Sequence, residues 1–392
     1  MKNNILTARQ YGILAFLLSF VFKFSLLPGL IAEVAGRDMW LVITFAVLIE
    51  AGTLAVIVRI SALGGMEAVK ERYGTAVYLA LALPAAMLFT VKCAVYMSEV
   101  NTFTTSYLFY NVSAESVAVI LTVTIVFLGI RAAKGIGRVS EIALWLIPVL
   151  VLIGAVFGKI KIEPSYVRPV AADGIGPIAS AFDRSLFWFF DYTPLLFFRL
   201  KTNENVAERK RKSSGAADAE GSVKRALGSL KKYAPVIGGA LGAVLIIPFL
   251  YAVFVMTYGM SGHLVGNAFS SLGSFNVVNT EIGSIDWPAI VLWLCFALIV
   301  LSILVFAAGR TVESVGVPLP VAVTVAAAVA LILAETLFFN SEKAMRFALS
   351  AARYPAAAIA VTVTAATLIL LERRGKAVRS GIEAEVKDEA GV

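Results

Sequence analysis

Residues 11–33 read YGILAFLLSFVFKFSLLPGLIAE, an apolar run interrupted by Lys23 and then by Pro28. A membrane-spanning helix needs about 20 mostly apolar residues at 1.5 Å each, and this stretch is long enough. It is too long for a signal-peptide core and carries no small-residue cleavage site, so it reads as a span. Pro28 lacks an N–H and clashes with the carbonyl four residues earlier, which frees the C=O of Phe24. Hydrocarbon tolerates a freed carbonyl only where protein or a water-lined cavity satisfies it. The run therefore predicts a spanning helix that is broken, with a lysine at the break.

The same device recurs at Phe190-Asp191-Tyr192-Thr193-Pro194, where the proline frees the C=O of Phe190. Between and beyond these stretches the chain reads as ten spans: about 11–33, 39–60, 76–107, 114–131, 139–158, 177–199, 233–259, 287–308, 317–339 and 354–371. The third is long and predicts a tilted helix or one that extends past the bilayer. Both breaks fall in the first helix of a five-helix half. The first lies toward the end of a helix running outward, the second toward the end of one running inward, as expected of two inverted repeats with a site near mid-membrane. The expected organisation is a cytoplasmic N-terminus (1–10), a first repeat (11–158), an outer connection (159–176), and a second repeat (177–371) containing a basic linker at 200–232. A charged tail (372–392), expected to be poorly ordered, completes the chain.

Composition agrees with this pattern. Of 392 residues 59% are hydrophobic and 15% charged, where a soluble chain has roughly a quarter of its residues charged. The net charge of +8 would suggest nucleic acid in a soluble protein, but its distribution points to orientation. With both termini inside, and with Arg59, Arg131 and Arg199 at the inner ends of their spans counted as inner, 24 Lys and Arg fall on the inner side, 7 in outer segments and 3 deeper within spans, accounting for all 34. The excess predicts cytoplasmic termini and removes nucleic acid as a partner. Lys and Arg cluster in the linker, including Arg209-Lys210-Arg211-Lys212; it reads as a topology-fixing segment or one that meets anionic headgroups of membrane lipid or a partner protein. The two cysteines, Cys93 and Cys295, lie in apolar stretches and read as buried free thiols.

The spans hold Lys23, Glu50, Lys92, Glu99, Asp183, Arg184 and Asp191. A charge at mid-bilayer costs about 2.5–3.5 kcal/mol on insertion scales, so these residues should turn away from lipid. Lys92, Tyr96, Glu99, Thr102 and Ser106 recur at intervals of four and three, which places them on one face of the third span. Lys92 and Glu99 are about 10 Å apart along the helix, so their partners should lie on other helices. This stripe, Lys23 and the segment Asp183–Tyr192 are expected to line a central polar cavity for a small polar ligand, or else to form a buried charge network that fixes helix register. Gly238 and Gly242 form a small-xxx-small pair expected to pack a helix. The lone His263, with no cysteine near it, gives no metal site. No phosphate loop follows a strand and no nucleophile–base pair has recognisable spacing, so neither a cofactor nor an enzymatic activity is expected.

Several stretches carry a resemblance: Thr7-Ala8-Arg9-Gln10 opening the first span, Leu27-Pro28, and Ala35-Gly36-Arg37-Asp38-Met39-Trp40-Leu41. Others are Lys134-Gly135-Ile136 running into Gly137-Arg138-Val139-Ser140-Glu141-Ile142, and Arg168-Pro169 with Asp173-Gly174-Ile175-Gly176-Pro177-Ile178. In order and spacing over roughly residues 7–310 they resemble the spore germinant-receptor B-subunit family of the amino acid–polyamine–organocation transporter superfamily. The resemblance implies an all-α membrane protein with ten transmembrane helices in a five-plus-five inverted repeat of the leucine-transporter type, with helices 1 and 6 broken. It further implies recognition of an amino acid or similar nutrient at Phe24, Ser25 and Leu26 and at Phe187 to Tyr192, among them Phe190 and Asp191. A- and C-type receptor subunits would be its partners in the spore inner membrane of an endospore-forming bacterium. Two alternatives stand beside this one. A proton-coupled amino acid transporter of the same fold would use Glu99, Asp183 or Asp191 as carrier, with Lys23 or Lys92 imitating a bound cation. A non-binding membrane subunit would keep the polar core for structure alone.

Overall fold

The computed structural model describes residues 5–108, 111–145, 162–201, 219–265, 268, 287–337 and 342–389. Among these the chain is helical apart from turns and one pair of two-residue strands. Helix α1 (Ala8–Phe20) starts on a reciprocal cap. Thr7 Oγ1 accepts the Gln10 N–H and Gln10 Oε1 accepts the Thr7 N–H, both at 3.2 Å. This satisfies two donors at the helix start that would otherwise lack partners. The chain then unwinds over residues 21–26 and re-enters helix as α2 (Leu27–Ala35). Pro28 lies in the first turn of α2, where a missing N–H costs nothing. It starts the second half-helix rather than kinking a continuous one.

Helices α3 (Met39–Ala62) and α4 (Gly65–Tyr107) follow. Gly64 and Gly65 turn the chain between them with φ of 107° and 65°, a region that favours glycine. The predicted long third span corresponds to α4, which Gly74 divides with a non-helical φ of 85°. Helices α5 (Ala114–Ile130) and α6 (Ala132–Leu144) are bent by 114° to each other. Most of the predicted fifth span, 139–158, lies outside the described residues. The second half contains α7 (Ile175–Ser185), α8 (Ala219–Tyr258), α9 (Trp287–Glu313), α10 (Leu319–Leu337) and α11 (Glu342–Glu389). Helix α8 begins at Ala219, inside the basic linker, and α11 runs on past residue 371 to Glu389.

Six helical stretches among the described residues are long and apolar enough to cross a membrane: Leu27–Ala62, Gly65–Ser106, Tyr233–Leu264, Ile290–Glu313, Leu319–Thr336 and Met345–Arg373. The bent pair α5 and α6 would make a seventh. The molecule is thus an all-α protein of membrane character. The predicted first and sixth spans do not appear in this set as whole helices because they are broken: α1 has 13 residues, α7 has 11, and the 9 residues of α2 enter it only as the start of Leu27–Ala62. None alone reaches the ~30 Å of a hydrocarbon core. Exposed apolar side chains recur along helix faces, as with Val119, Ile120, Val123 and Phe127 on α5. Such faces suit lipid rather than water.

One strand pair fixes the relation of the two broken segments. Ile5–Leu6 (β1) pairs in parallel with Arg199–Leu200 (β2), and Lys201 N–H donates to the Leu6 carbonyl at 2.8 Å. The residues just before α1 and those just after the second break therefore lie together at one end of the bundle. Farther along, α1 crosses α8 in backbone contact at Gly12 and Gly239, where a Cβ on either residue would run into the other helix. The expected pair Gly238 and Gly242 is shifted: Gly238 faces open space, Gly239 makes the crossing, and Gly242 lies against the Phe16 ring.

Candidate functional site

The two unwound segments meet at the centre of the buried core. In the first, residues 21–26 expose backbone carbonyls that regular helix would have satisfied, and other elements supply the donors. Trp293 Nε1 on α9 donates to the Val21 carbonyl at 3.1 Å, the Tyr251 hydroxyl on α8 to the Lys23 carbonyl, and the Ala268 N–H to the Ser25 carbonyl at 2.9 Å. Ser25 Oγ turns back to the Phe22 carbonyl at 3.4 Å, and the Phe24 ring packs 6.0 Å from Tyr251.

In the second segment Phe189 is extended and Phe190 has φ of 64°. A bulky side chain in the left-handed region is strained by about 1–3 kcal/mol, and surrounding contacts must hold it there. The Thr193 N–H and Oγ1 both donate to the Phe190 carbonyl, at 3.2 and 2.8 Å, closing a tight turn. The Pro194 that predicted this break stands in the short 3-10 turn that follows.

Four charges join these segments. Lys23 Nζ donates to Asp191 Oδ2 at 2.8 Å and lies 3.0 Å from Glu50 Oε2. Lys92 Nζ on α4 donates to Asp191 Oδ1 and, at 2.8 Å, to the Phe189 carbonyl. The Tyr96 hydroxyl adds a bond to Asp191 Oδ1 at 3.1 Å, and Ser19 Oγ one to Glu50 Oε2 at 3.1 Å. The Asp191 N–H points at Glu50 Oε1, 3.4 Å away. Lys23, Glu50, Lys92 and Asp191 are each at most 4% exposed. Two cations meet two anions, so the cluster is neutral, and removing one member would leave an uncompensated buried charge.

Glu99 stands one step aside. Its Oε1 accepts the N–H of Leu26, the residue that caps α2, at 3.2 Å. Its Oε2 is buried without a hydrogen-bond partner. The position suits a carboxylate, since a helix N-terminus carries unsatisfied N–H groups and partial positive charge.

The structure thus gathers Lys23, Lys92, Tyr96 and Asp191 into one network, with Leu26 and Glu99 beside it. Phe187 is buried with its ring 5.6 Å from Lys92 Nζ, and Tyr192 is buried in the same turn. Asp183 is elsewhere: it pairs with Arg353 at 2.9 Å and accepts from the Tyr354 hydroxyl at 2.7 Å, both on α11. The expected stripe on the third span also ends early. Thr102 and Ser106 are exposed, and the buried face continues through Phe103 instead, which follows Glu99 at the four-residue interval.

Glu50 is the residue whose role sequence reasoning missed. It is the sole acidic residue between Asp38 and Glu67, in an otherwise apolar span, and that isolation was the available signal. Tyr251, Trp293 and Ser19 gave none, because their partners are carbonyls and carboxylates on distant helices. A second ionic cluster lies near the β1–β2 end. Arg310 contacts Glu67 at 2.7 Å and also Glu313, and Arg199 lies 3.5 Å from Glu67. A cavity of about 160 Å³ opens beside it, lined in part by Lys70, Tyr78 and Phe197. No group of side chains suited to a metal occurs among the described residues. No family model matches the sequence, nor does any curated protein.

Proposed function

We propose that this chain is a ten-span, five-plus-five inverted-repeat membrane protein, cytoplasmic at both termini, that works as a nutrient-sensing subunit of a spore germinant receptor. The observation that carries the reading is the junction of the two unwound segments through Lys23 and Asp191. Broken helices that face each other at mid-bilayer are where this architecture recognises small polar ligands, and few other needs justify five ionisable residues there. The tethering of both cations favours a sensor. A carboxylate pair that couples transport to a metal ion must release that ion in each cycle, whereas Lys23 and Lys92 cannot leave. A sensor needs only a ligand that binds one arrangement of the breaks better than another, with A- and C-type subunits reading the change. Deleting the gene in its own host should reduce spore germination in response to at least one amino acid or related nutrient. Unchanged germination with every nutrient, in a strain lacking other receptors, would overturn the reading.

Glu99 favours a second reading, a proton-coupled amino acid transporter, because it stands outside the neutral cluster and carries an unshared oxygen. Uptake of labelled amino acid into proteoliposomes driven by a proton gradient would select it, and absence of such uptake would exclude it.

A further inference from the structure

The elbow between α5 and α6 carries three cations that the fold leaves without counter-charges. Helix α5 ends at Ile130, Ala132 turns the chain with φ of 59°, and α6 leaves at 114° to α5. Arg131, Lys134 and Arg138 follow one another at intervals of three and four, which places them on one face, and all three are exposed. Among the described residues none of the three forms an ion pair. The one acid on α6, Glu141, is turned instead to Arg9 at 3.8 Å and to Gln10 Nε2 at 3.5 Å. The Arg131 guanidinium lies over the Phe127 ring, 4.8 Å from its centre. Gly135 leaves room for that side chain, since a Cβ there would run into the Arg131 Cβ.

Apolar surface flanks the cations on both sides. Before the elbow, Val123, Phe127 and Arg131 recur every four residues, so the exposed apolar face of α5 leads directly to the first cation. After it, the same face of α6 passes from Arg138 to Ile142 and Trp145, which are 69% and 67% exposed. Tryptophan with exposed aliphatic side chains beside a group of cations is the composition of a membrane–water boundary. The elbow also lies at the β1–β2 end of the bundle, where Gly137 of α6 packs against Gln10 and Leu6. A free anion in water would use the cations and leave both apolar faces idle. A molecule that joins an anionic phosphate to hydrocarbon chains uses all of them, because arginine forks match phosphate oxygens and apolar helix faces match acyl chains. We infer that the α5–α6 elbow is a binding site for an anionic phospholipid, with its phosphate at Arg131, Lys134 and Arg138 and an acyl chain along Val123 and Phe127. The inference stands on the membrane character of the fold and does not need the nutrient-sensing reading.

The test titrates the full chain in detergent micelles with phosphatidylglycerol or with phosphatidylcholine of the same acyl chains, and counts bound lipid by native mass spectrometry. One phosphatidylglycerol should be retained about tenfold or more tightly than phosphatidylcholine. Lys134→Gln and Arg138→Gln, both at exposed positions, should each weaken that retention by about fivefold, and together by more than about tenfold. Arg59→Gln removes an exposed cation that pairs with Glu372 at the same end of the bundle, and should leave retention unchanged. Equal retention of the two lipids, or an equal loss with Arg59→Gln, would overturn the inference. Displacement of the lipid by inorganic phosphate would make the elbow a free-anion site, and displacement by a hexaglutamate peptide would make it an acidic-protein site; either result also overturns it.

Discussion

Two ionic clusters of similar make-up occupy the molecule in different ways. The central one, Lys23–Glu50–Lys92–Asp191, is at most 4% exposed at every side chain. The peripheral one grades outward from Glu67 at 12% and Arg310 at 16% to Arg199 at 36% and Glu71 at 51%, beside a cavity of about 160 Å³. Water can replace a lost partner in the second but not in the first. The same residue types therefore do different work: the central pairs lock two unwound segments against each other, and the peripheral pairs trim one end of the bundle at little cost.

That contrast can be broken or sharpened by substitution. The largest effect is expected for Asp191→Ala, which leaves Lys92 without a counter-charge and Lys23 with Glu50 alone; unfolding followed by detergent-resistant size-exclusion profiles should show a loss of about 3–5 kcal/mol or failure to accumulate folded protein. Lys92→Met comes next. It frees the Phe189 carbonyl and leaves Asp191 Oδ1 with the Tyr96 hydroxyl alone, but Lys23 stays on Asp191, so a loss of about 2–3 kcal/mol is expected in the same assay. Arg310→Met should cost about 1 kcal/mol, since Glu67, 12% exposed, keeps Arg199 nearby. Arg199→Ala should change stability by less than about 0.5 kcal/mol. A peripheral variant as damaging as Asp191→Ala would erase the distinction between the clusters.

Much of the central cluster was legible because breaks and charges are anomalies in an apolar chain. Pro28 and Pro194 marked both unwound segments to within a few residues, and Lys23, Asp191, Lys92 and Tyr96 were noticed because hydrocarbon does not accept them. What stayed hidden was pairing. Glu50 is as anomalous as Lys23, but no spacing rule links residues on two helices whose contact depends on how a third, unwound segment is threaded. Asp183 illustrates the converse: only eight positions before Asp191, it faces α11, because α7 and the extended Phe189 point the two acids in different directions. Thr102 was misassigned by periodicity, since two intervals of three in succession drift off a 3.6-residue face, whereas Ser106 returns near that face but is exposed in the last turn of α4. The peripheral cluster was illegible altogether. Glu67, Arg199 and Arg310 sit near the ends of apolar stretches, where charged residues are ordinary.

The central claim is that Lys23 and Asp191 bind the two broken helices to each other. A double-mutant cycle of Lys23→Met and Asp191→Asn, read as unfolding free energy in detergent, measures that link directly. Strong coupling of about 1–3 kcal/mol is expected, with the double variant more stable than the sum of the single losses implies. Additivity within about 0.5 kcal/mol would mean that the two residues do not meet, and would contradict it.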